Sequence, residues 1–166
     1  MVRHRFRVIQ MVSHGPQMPT STLMPLKATE YLTQVRIDQL SELRIFMLAK
    51  EGFALKDVRA MVSISKLYSS SKIIERICGT PNQKSLGEKN ETASRLSAFQ
   101  SAVAFQFASV LDHATTVFGS LQLAEEWLEK PCRNLAGNVP LDMVDNPLGF
   151  NVVEDYLERV ALGVYQ

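Results

Sequence analysis

From Leu96 to Leu111 the chain runs 16 residues without a charge. Ser97, Gln100, Ser101, Gln106 and Ser109 interrupt this run, which is too short and too polar to span a bilayer. Extended outward, the pattern predicts the longest helix of the chain over Glu91 to Phe118. Leu96, Phe99, Val103, Phe107, Val110, Ala114 and Val117 lie along one side, and Phe105, Leu111 and Phe118 add a second apolar face. A helix apolar on two faces must be covered on two faces. The sequence on either side therefore has to supply amphipathic elements, and the expectation is an all-α protein.

Those elements are visible on both sides. Ile37, Leu40, Leu43, Phe46 and Met47 recur at helical spacing within a helix expected over Leu26 to Leu48, ended by Lys50-Glu51-Gly52. Leu55 to Val62 reads as a second helix, and Ile64 to Leu67 opens a third. Ser69-Ser70-Ser71 marks a turn, and Lys72 to Cys78 a helix with Ile73, Ile74 and Ile77 inward. After Gly79, Thr80-Pro81-Asn82 starts a short polar helix to about Lys89. Helix, glycine turn and short polar helix form a helix-turn-helix pattern near 71–90. Thr80, Asn82, Gln83, Lys84, Ser85 and Lys89 are the side chains it would offer to bases and phosphates. Such a pattern is weakly specific alone, because short polar helices after a glycine are frequent.

Beyond Phe118, Gly119-Ser120 restarts a helix at Leu121. It ends at Lys130, because Pro131 disfavours helical backbone in the residue before it. Cys132 to Pro140 reads as a polar loop, Pro140 to Val144 as a short helix, and Asp145 to Gly149 as a turn. Asn151 is expected to cap a last helix, with Glu154 completing a capping box. That helix carries an apolar stripe of Val152, Val153, Tyr156, Leu157, Val160 and Ala161 and stops at Gly163. Trp127 is the expected core anchor of this unit, packed on Leu135, Leu141 and Val153.

The C-terminal residues carry a resemblance. Trp127-Leu128, Pro131, Asn134-Leu135-Ala136-Gly137, Pro140-Leu141-Asp142, Gly149, Val153, Leu157, Arg159-Val160 and Gly163-Val164-Tyr165 occur in an ordered series. Phe118-Gly119 leads into it. Together they resemble the C-terminal toxin-binding domain of the Xre/MbcA/ParS antitoxins over about 45 residues. The family usually shows Gly-Gly where this chain has Ala136-Gly137, and Pro-Asn where it has Pro131-Cys132. Upstream, Glu91-Thr92-Ala93-Ser94-Arg95-Leu96 matches the E-x-x-S-R-L opening of the long helix that follows the family's helix-turn-helix. The family's second helix is richer in Arg, with an S-R-x-T-L pattern. Here it reads Gln83-Lys84-Ser85-Leu86-Gly87, with a glycine inside the helix that costs about 1 kcal/mol against Ala.

The resemblance implies an antitoxin whose partner is a RES-domain toxin, an NAD-consuming relative of ADP-ribosyltransferases, held with its active-site cleft covered. It also implies repression of the shared operon, hence operator DNA as a second partner. A symmetric operator calls for a two-fold homodimer built through the N-terminal half. The expected toxin-binding residues are Glu154, Asp155, Glu158 and Arg159 on the exposed face of the last helix, with the tail Val164, Tyr165 and Gln166. The alternative is a helix-turn-helix transcriptional regulator without a toxin.

Charge is divided along the chain. Residues 1–90 hold 14 Lys and Arg against 7 Asp and Glu, a net of +7, and residues 91–166 hold 4 against 10, a net of −6. This suits two different partners, or two solvated surfaces of opposite sign. Residues 1–25, with Gly15-Pro16, Pro19 and Pro25, read as a flexible arm or as sequence upstream of a later start. Arg3, Arg5 and Arg7 would either contact nucleic acid or have no role. No apolar run follows the basic start, so no signal peptide is expected.

Cys78 and Cys132 build no disulfide framework, and with His4, His14 and His113 scattered no metal site or cofactor is expected. A cytoplasmic protein with reduced thiols is the simplest reading. Gly-rich phosphate loops, H-E-x-x-H, G-x-S-x-G and Cys–His pairings are missing. Glu125-Glu126 and Asp155 with Glu158 read as solvated carboxylates, and the expectation is that the chain is not an enzyme.

Overall fold

The computed structural model describes residues 26–79 and 94–164, and among them the fold is helical. In chain order the α-helices are α1 Ala28–Thr33, α2 Glu42–Glu51, α3 Leu55–Ser63, α4 Lys66–Ser70, α5 Ile73–Cys78, α6 Ala98–Phe118, α7 Leu121–Glu129 and α8 Pro147–Ala161. Single 3-10 turns stand at Ile37–Gln39, Arg133–Leu135 and Pro140–Met143. The segments 1–25, 80–93 and 165–166, which contain the basic arm, the expected recognition helix and the end of the tail, lie outside the described residues.

Everything is arranged about α6. It packs against α1, α2 and α5 on the N-terminal side and against α7 and α8 on the other, so both apolar faces are covered. Val103, Ala104, Phe107, Ala108, Val110, Leu111 and Ala114 are fully or almost fully buried. Tyr68 from α4 meets Phe107 edge-on at 5.7 Å, and its hydroxyl donates to the Phe107 carbonyl at 2.8 Å. Burial raises the Tyr68 phenol well above its ordinary range, with Asp112 adding to the effect, so this hydroxyl is a permanent donor.

Three helix boundaries differ from those read in the sequence. The long helix begins at Ala98, not Glu91. Ser97 caps it, accepting from the Gln100 amide at 3.2 Å while the Gln100 side chain accepts from the Ser97 amide at 3.0 Å. Before the cap the chain is extended and pairs with 53–55. Leu96 N–H donates to the Phe53 carbonyl and Leu55 N–H to the Ser94 carbonyl, each at 2.9 Å. Phe99, expected inward, is exposed.

The helix expected over Leu26 to Leu48 is broken into α1, a 3-10 turn and α2. Gln34 takes a left-handed backbone at the break. The start of α1 is held from outside the segment: Asp112 of α6 accepts from the Ala28 and Thr29 amides at 2.7 and 2.9 Å and from the Thr29 hydroxyl at 2.7 Å. Leu43, Phe46 and Met47 point to solvent on α2, while Leu48 and Ala49 pack inward.

Burial pushes the Asp112 carboxyl above its ordinary value of 3.8, against the opposing pull of its Thr29 and Ala28 donors. A carboxyl raised in the folded state binds its proton more tightly than in the unfolded chain. Its contribution to stability is therefore full below pH 3.8 and lost as pH rises through the raised value. The stability of the protein relative to Asp112→Asn, measured by denaturant unfolding, is expected to decline as pH rises from the acid side toward neutrality. A difference independent of pH would contradict this.

Candidate functional site

The C-terminal unit is built from local rules that the sequence states openly. Ser120 caps α7, accepting from the Leu123 amide. Lys130 before Pro131 is extended and ends α7. Cys132 to Asn138 closes a tight loop, with the Cys132 amide donating to the Asn138 carbonyl and the Gly137 amide donating back to the Cys132 carbonyl, both at 2.9 Å. Ala136 takes a left-handed backbone there.

The last helix starts earlier than expected. Asn146 is its cap, with Oδ1 accepting from the Leu148 and Gly149 amides, and Pro147 occupies the first helical position. Gly149 belongs to the first turn of α8, where an added Cβ would stand 2.2 Å from the Met143 carbonyl oxygen. Its role is to admit the preceding 3-10 turn against the helix. At the far end Gly163, at φ +70°, closes a Schellman motif. The Val164 amide donates to the Arg159 carbonyl at 2.9 Å and the Gly163 amide to the Val160 carbonyl at 3.0 Å.

The aromatic centre of this unit is layered. Trp127 stacks on Tyr156 of α8 with ring centroids 5.7 Å apart and 7° between planes, and meets Phe118 at 5.3 Å. Trp127 is half-buried, not the enclosed anchor expected from the sequence. The fully buried side chains here are Leu128, Val144, Val153 and Leu157. Beside Trp127 and Tyr156 lies an open groove that Lys130, Cys132, Arg133 and Asn134 also line.

Of the residues expected on the exposed face of α8, Asp155, Glu158 and Arg159 are exposed and Glu154 is not. Glu154 faces α6, with Oε2 2.7 Å from His113 Nδ1 and Oε1 accepting weakly from the Ser109 hydroxyl at 3.5 Å. Its side chain is only 24% exposed. The assignment of Glu154 to the exposed face is therefore corrected: the carboxylate ties α8 to the long helix. Val164 is exposed, its backbone fixed by the Schellman bond, while Tyr165 and Gln166 lie outside the described residues.

The sequence reading missed the apolar part of this surface. Leu148 is 77% exposed and Leu162 72%, with Val152 nearly half exposed between them. Leu148, Val152, Asp155, Arg159 and Leu162 follow one another at four- and three-residue spacing, which puts them on one face of α8. Val152 had been read as part of the inward stripe, yet that stripe is carried by Val153, Tyr156 and Leu157. Leu148, Val152 and Leu162 thus stand outside the packing among the described residues. The signal that could have found it is the second row of apolar residues at 148, 152 and 162, out of phase with the first.

The expected DNA-contacting residues, Thr80, Asn82, Gln83, Lys84, Ser85 and Lys89, all fall outside the described residues. The helix before them is α5, with Ile73 and Ile77 buried. Its Arg76 reaches into the C-terminal unit: Nε and Nη2 donate to Asp145 Oδ2 at 3.1 and 2.9 Å, and Nη2 also donates to the Leu141 carbonyl at 3.0 Å. Nη1 lies 3.4 Å from Asp142 Oδ1, and the guanidinium covers the Phe107 ring at 5.2 Å. A second tie runs from Ser65, the cap of α4, whose hydroxyl donates to Glu125 of α7 at 2.7 Å.

Among the described residues no group of three or more His, Cys, Asp and Glu is arranged to hold a metal ion, and no helix is long and apolar enough to cross a membrane. The C-terminal unit thus ties α8 to α6 on one side and leaves Leu148, Val152, Asp155, Arg159 and Leu162 exposed.

Residues 113–163 match the antitoxin Xre/MbcA/ParS C-terminal toxin-binding domain, under a third of the 166-residue chain. The matched segment opens at His113, the residue that holds Glu154, and closes at Gly163, which ends α8. The match supports an antitoxin role and implies a toxin as partner. No curated protein matches the chain significantly.

Proposed function

We propose that this protein is an antitoxin that neutralises a RES-domain, NAD-consuming toxin in the cytoplasm by laying the outer face of α8 over the toxin's active-site cleft, and that it represses its own operon. The observation that carries the reading is the bare face of Leu148, Val152, Asp155, Arg159 and Leu162 within the segment that matches a toxin-binding domain. Apolar side chains at its two ends supply burial, and Asp155, Glu158 and Arg159 supply charged contacts. The acidic balance of residues 91–166 complements a cleft built for a phosphate-bearing substrate. Val164, exposed and with its amide held by the Arg159 carbonyl, adds an apolar side chain at the end of α8, and Tyr165 and Gln166 follow it in the sequence. Tyrosine joins a large ring to a hydroxyl, a combination enriched at binding hot spots.

Co-expression with the toxin tests this, with growth and cellular NAD as readouts. Deleting Val164-Tyr165-Gln166, or changing Asp155 and Glu158 together to lysine, is expected to abolish rescue while circular dichroism stays helical. Full rescue by the folded tail-deleted protein would remove the tail from the mechanism. Full rescue by both variants would contradict occlusion through this surface.

Operator binding is read separately. Lys84→Ala and Lys89→Ala are expected to weaken binding to upstream DNA and to lower its salt dependence, since each lysine would release counterions from phosphate. Variants that bind like the parent would move recognition elsewhere, to the Arg3, Arg5 and Arg7 arm.

A further inference from the structure

We infer that residues 1–25 dock back onto the protein along the groove between α4 and α7, with Leu23 and Met24 at its apolar end and Arg3, Arg5 and Arg7 against the carboxylates of α7. This docking is independent of the toxin and operator readings above, and its test reads contacts within the chain.

Two adjoining hollows lie on this flank of the molecule. The first, of about 530 Å³, is walled by Leu26, Tyr31, Ile64 and Leu121 among others. Tyr31, Ile64 and Leu121 pack on the core but are only partly covered, and Leu26 is 57% exposed. The second, of about 780 Å³, runs between α4 and α7, with Glu125, Glu126 and Glu129 along the α7 side. Ile64 and Leu121 line both hollows, so the two meet in one groove, apolar by Leu26 and acidic along α7. None of the residues of the bare α8 face lines either hollow, so an occupant here leaves that face free.

What selects the chain's own arm is where it joins the fold and what it carries. Leu26 stands in the wall of the apolar hollow, so Met24 and Leu23, two and three residues before it, are tethered at its mouth. Farther out, residues 1–25 hold Arg3, Arg5 and Arg7 and no Asp or Glu. The acidic hollow sets three glutamates against Lys66, a net of −2. The Ser65 hydroxyl already binds Glu125, and Lys130 lies 3.6 Å from Glu126. Glu126 and Glu129 are the exposed carboxylates that arginines can reach. From Leu121 to Glu129, α7 rises about 12 Å. Residues 8–22, between the basic and apolar parts of the arm, can extend to about 50 Å, so the span is reached with slack. Closing a longer tether adds cost only slowly. Apolar then basic residues leaving Leu26 thus follow the same order as the apolar and acidic ends of the groove. The tether also raises the arm's local concentration to about the millimolar range, an advantage that an unrelated basic peptide lacks. Arginines held on α7 are withheld from DNA phosphate, so groove and DNA compete for one arm.

Methyl nuclear Overhauser spectroscopy on the full chain, labelled at Ile, Leu and Met, is the test. Cross-peaks from Leu23 and Met24 to Ile64 and Leu121 are expected. Changing Arg3, Arg5 and Arg7 together to glutamate should shift the amide resonances of Glu126 and Glu129 and leave those of Asp155 and Arg159 in place. Raising salt to about 0.5 M should shift the same two resonances of the unsubstituted protein in the same direction. Absence of the cross-peaks would overturn the proposal. So would cross-peaks that arise only between differently labelled chains in a mixed sample, since the occupant would then be a second copy. Cross-peaks with no response of Glu126 and Glu129 to the charge reversal would overturn the placement of the arginines while keeping Leu23 and Met24 seated.

Discussion

Changing Leu148 and Val152 together to aspartate is expected to cut toxin affinity by about 100-fold or more, corresponding to about 3 kcal/mol. Both side chains are exposed in the free protein, so the substitution removes nothing from the fold's own core. The loss would come from two sources. Apolar surface that the partner covers is replaced by carboxylates, and each carboxylate must then be desolvated without a partner. Leu162→Asp, at the other end of the same face, should act in the same direction with a smaller effect. Isothermal titration against the purified toxin measures the loss, and unchanged thermal unfolding shows that it is not a folding defect. Affinity within about threefold of wild type would mean that the bare face of α8 is not covered in the complex.

Arg76→Ala is expected to be the most destabilising single surface-accessible change, costing roughly 2–4 kcal/mol. The side chain is only 21% exposed and is fully used, by Asp145, Asp142, the Leu141 carbonyl and the Phe107 ring. Its removal strands the Asp145 carboxylate and a backbone carbonyl at the turn just before α8. For a chain of this size the melting temperature should fall by roughly 10 °C. Arg76→Lys should recover little, because one ammonium cannot span the same fork of acceptors. Because Arg76 lies on α5, the element that leads toward the expected recognition helix, the same change should loosen the C-terminal unit and the N-terminal helices together. A shift below about 2 °C would show that the ties are individually weak.

Which parts of this architecture the sequence disclosed follows from the range of the forces involved. The end of α7 at Pro131, the stop of α5 at Gly79 and the closure of α8 at Gly163 are set by backbone chemistry within a few residues, and each stands where it was read. The start of α6 is partly local, since Ser97 and Gln100 form a capping box, but it is also imposed by pairing with Phe53 and Leu55, more than 35 residues away. The division of the N-terminal helix into α1 and α2 depends on Asp112, 83 and 84 residues distant, which no window of sequence reports.

The start of α8 was misread because two asparagines compete for the cap. Asn146 has Pro147 directly after it and takes the role, while the apparent partner of Asn151, Glu154, is drawn away to His113. Periodicity has its own blind spot. Leu43, Phe46 and Met47, like Leu148 and Val152, satisfy the pattern of a buried stripe and are exposed. Apolar spacing says that a surface will be covered, and does not say whether by the chain itself or by another molecule.

The claim that α8 presents its outer face to a toxin is tested most directly by methyl cross-saturation NMR on the labelled protein with unlabelled toxin added. The account predicts loss of intensity at the methyls of Leu148, Val152, Leu162 and Val164, with those of Val153 and Leu157, on the buried side of the same helix, unaffected. Saturation confined to other surfaces, such as Leu123 beside the Trp127–Tyr156 groove or Leu43 and Met47 on α2, would contradict it.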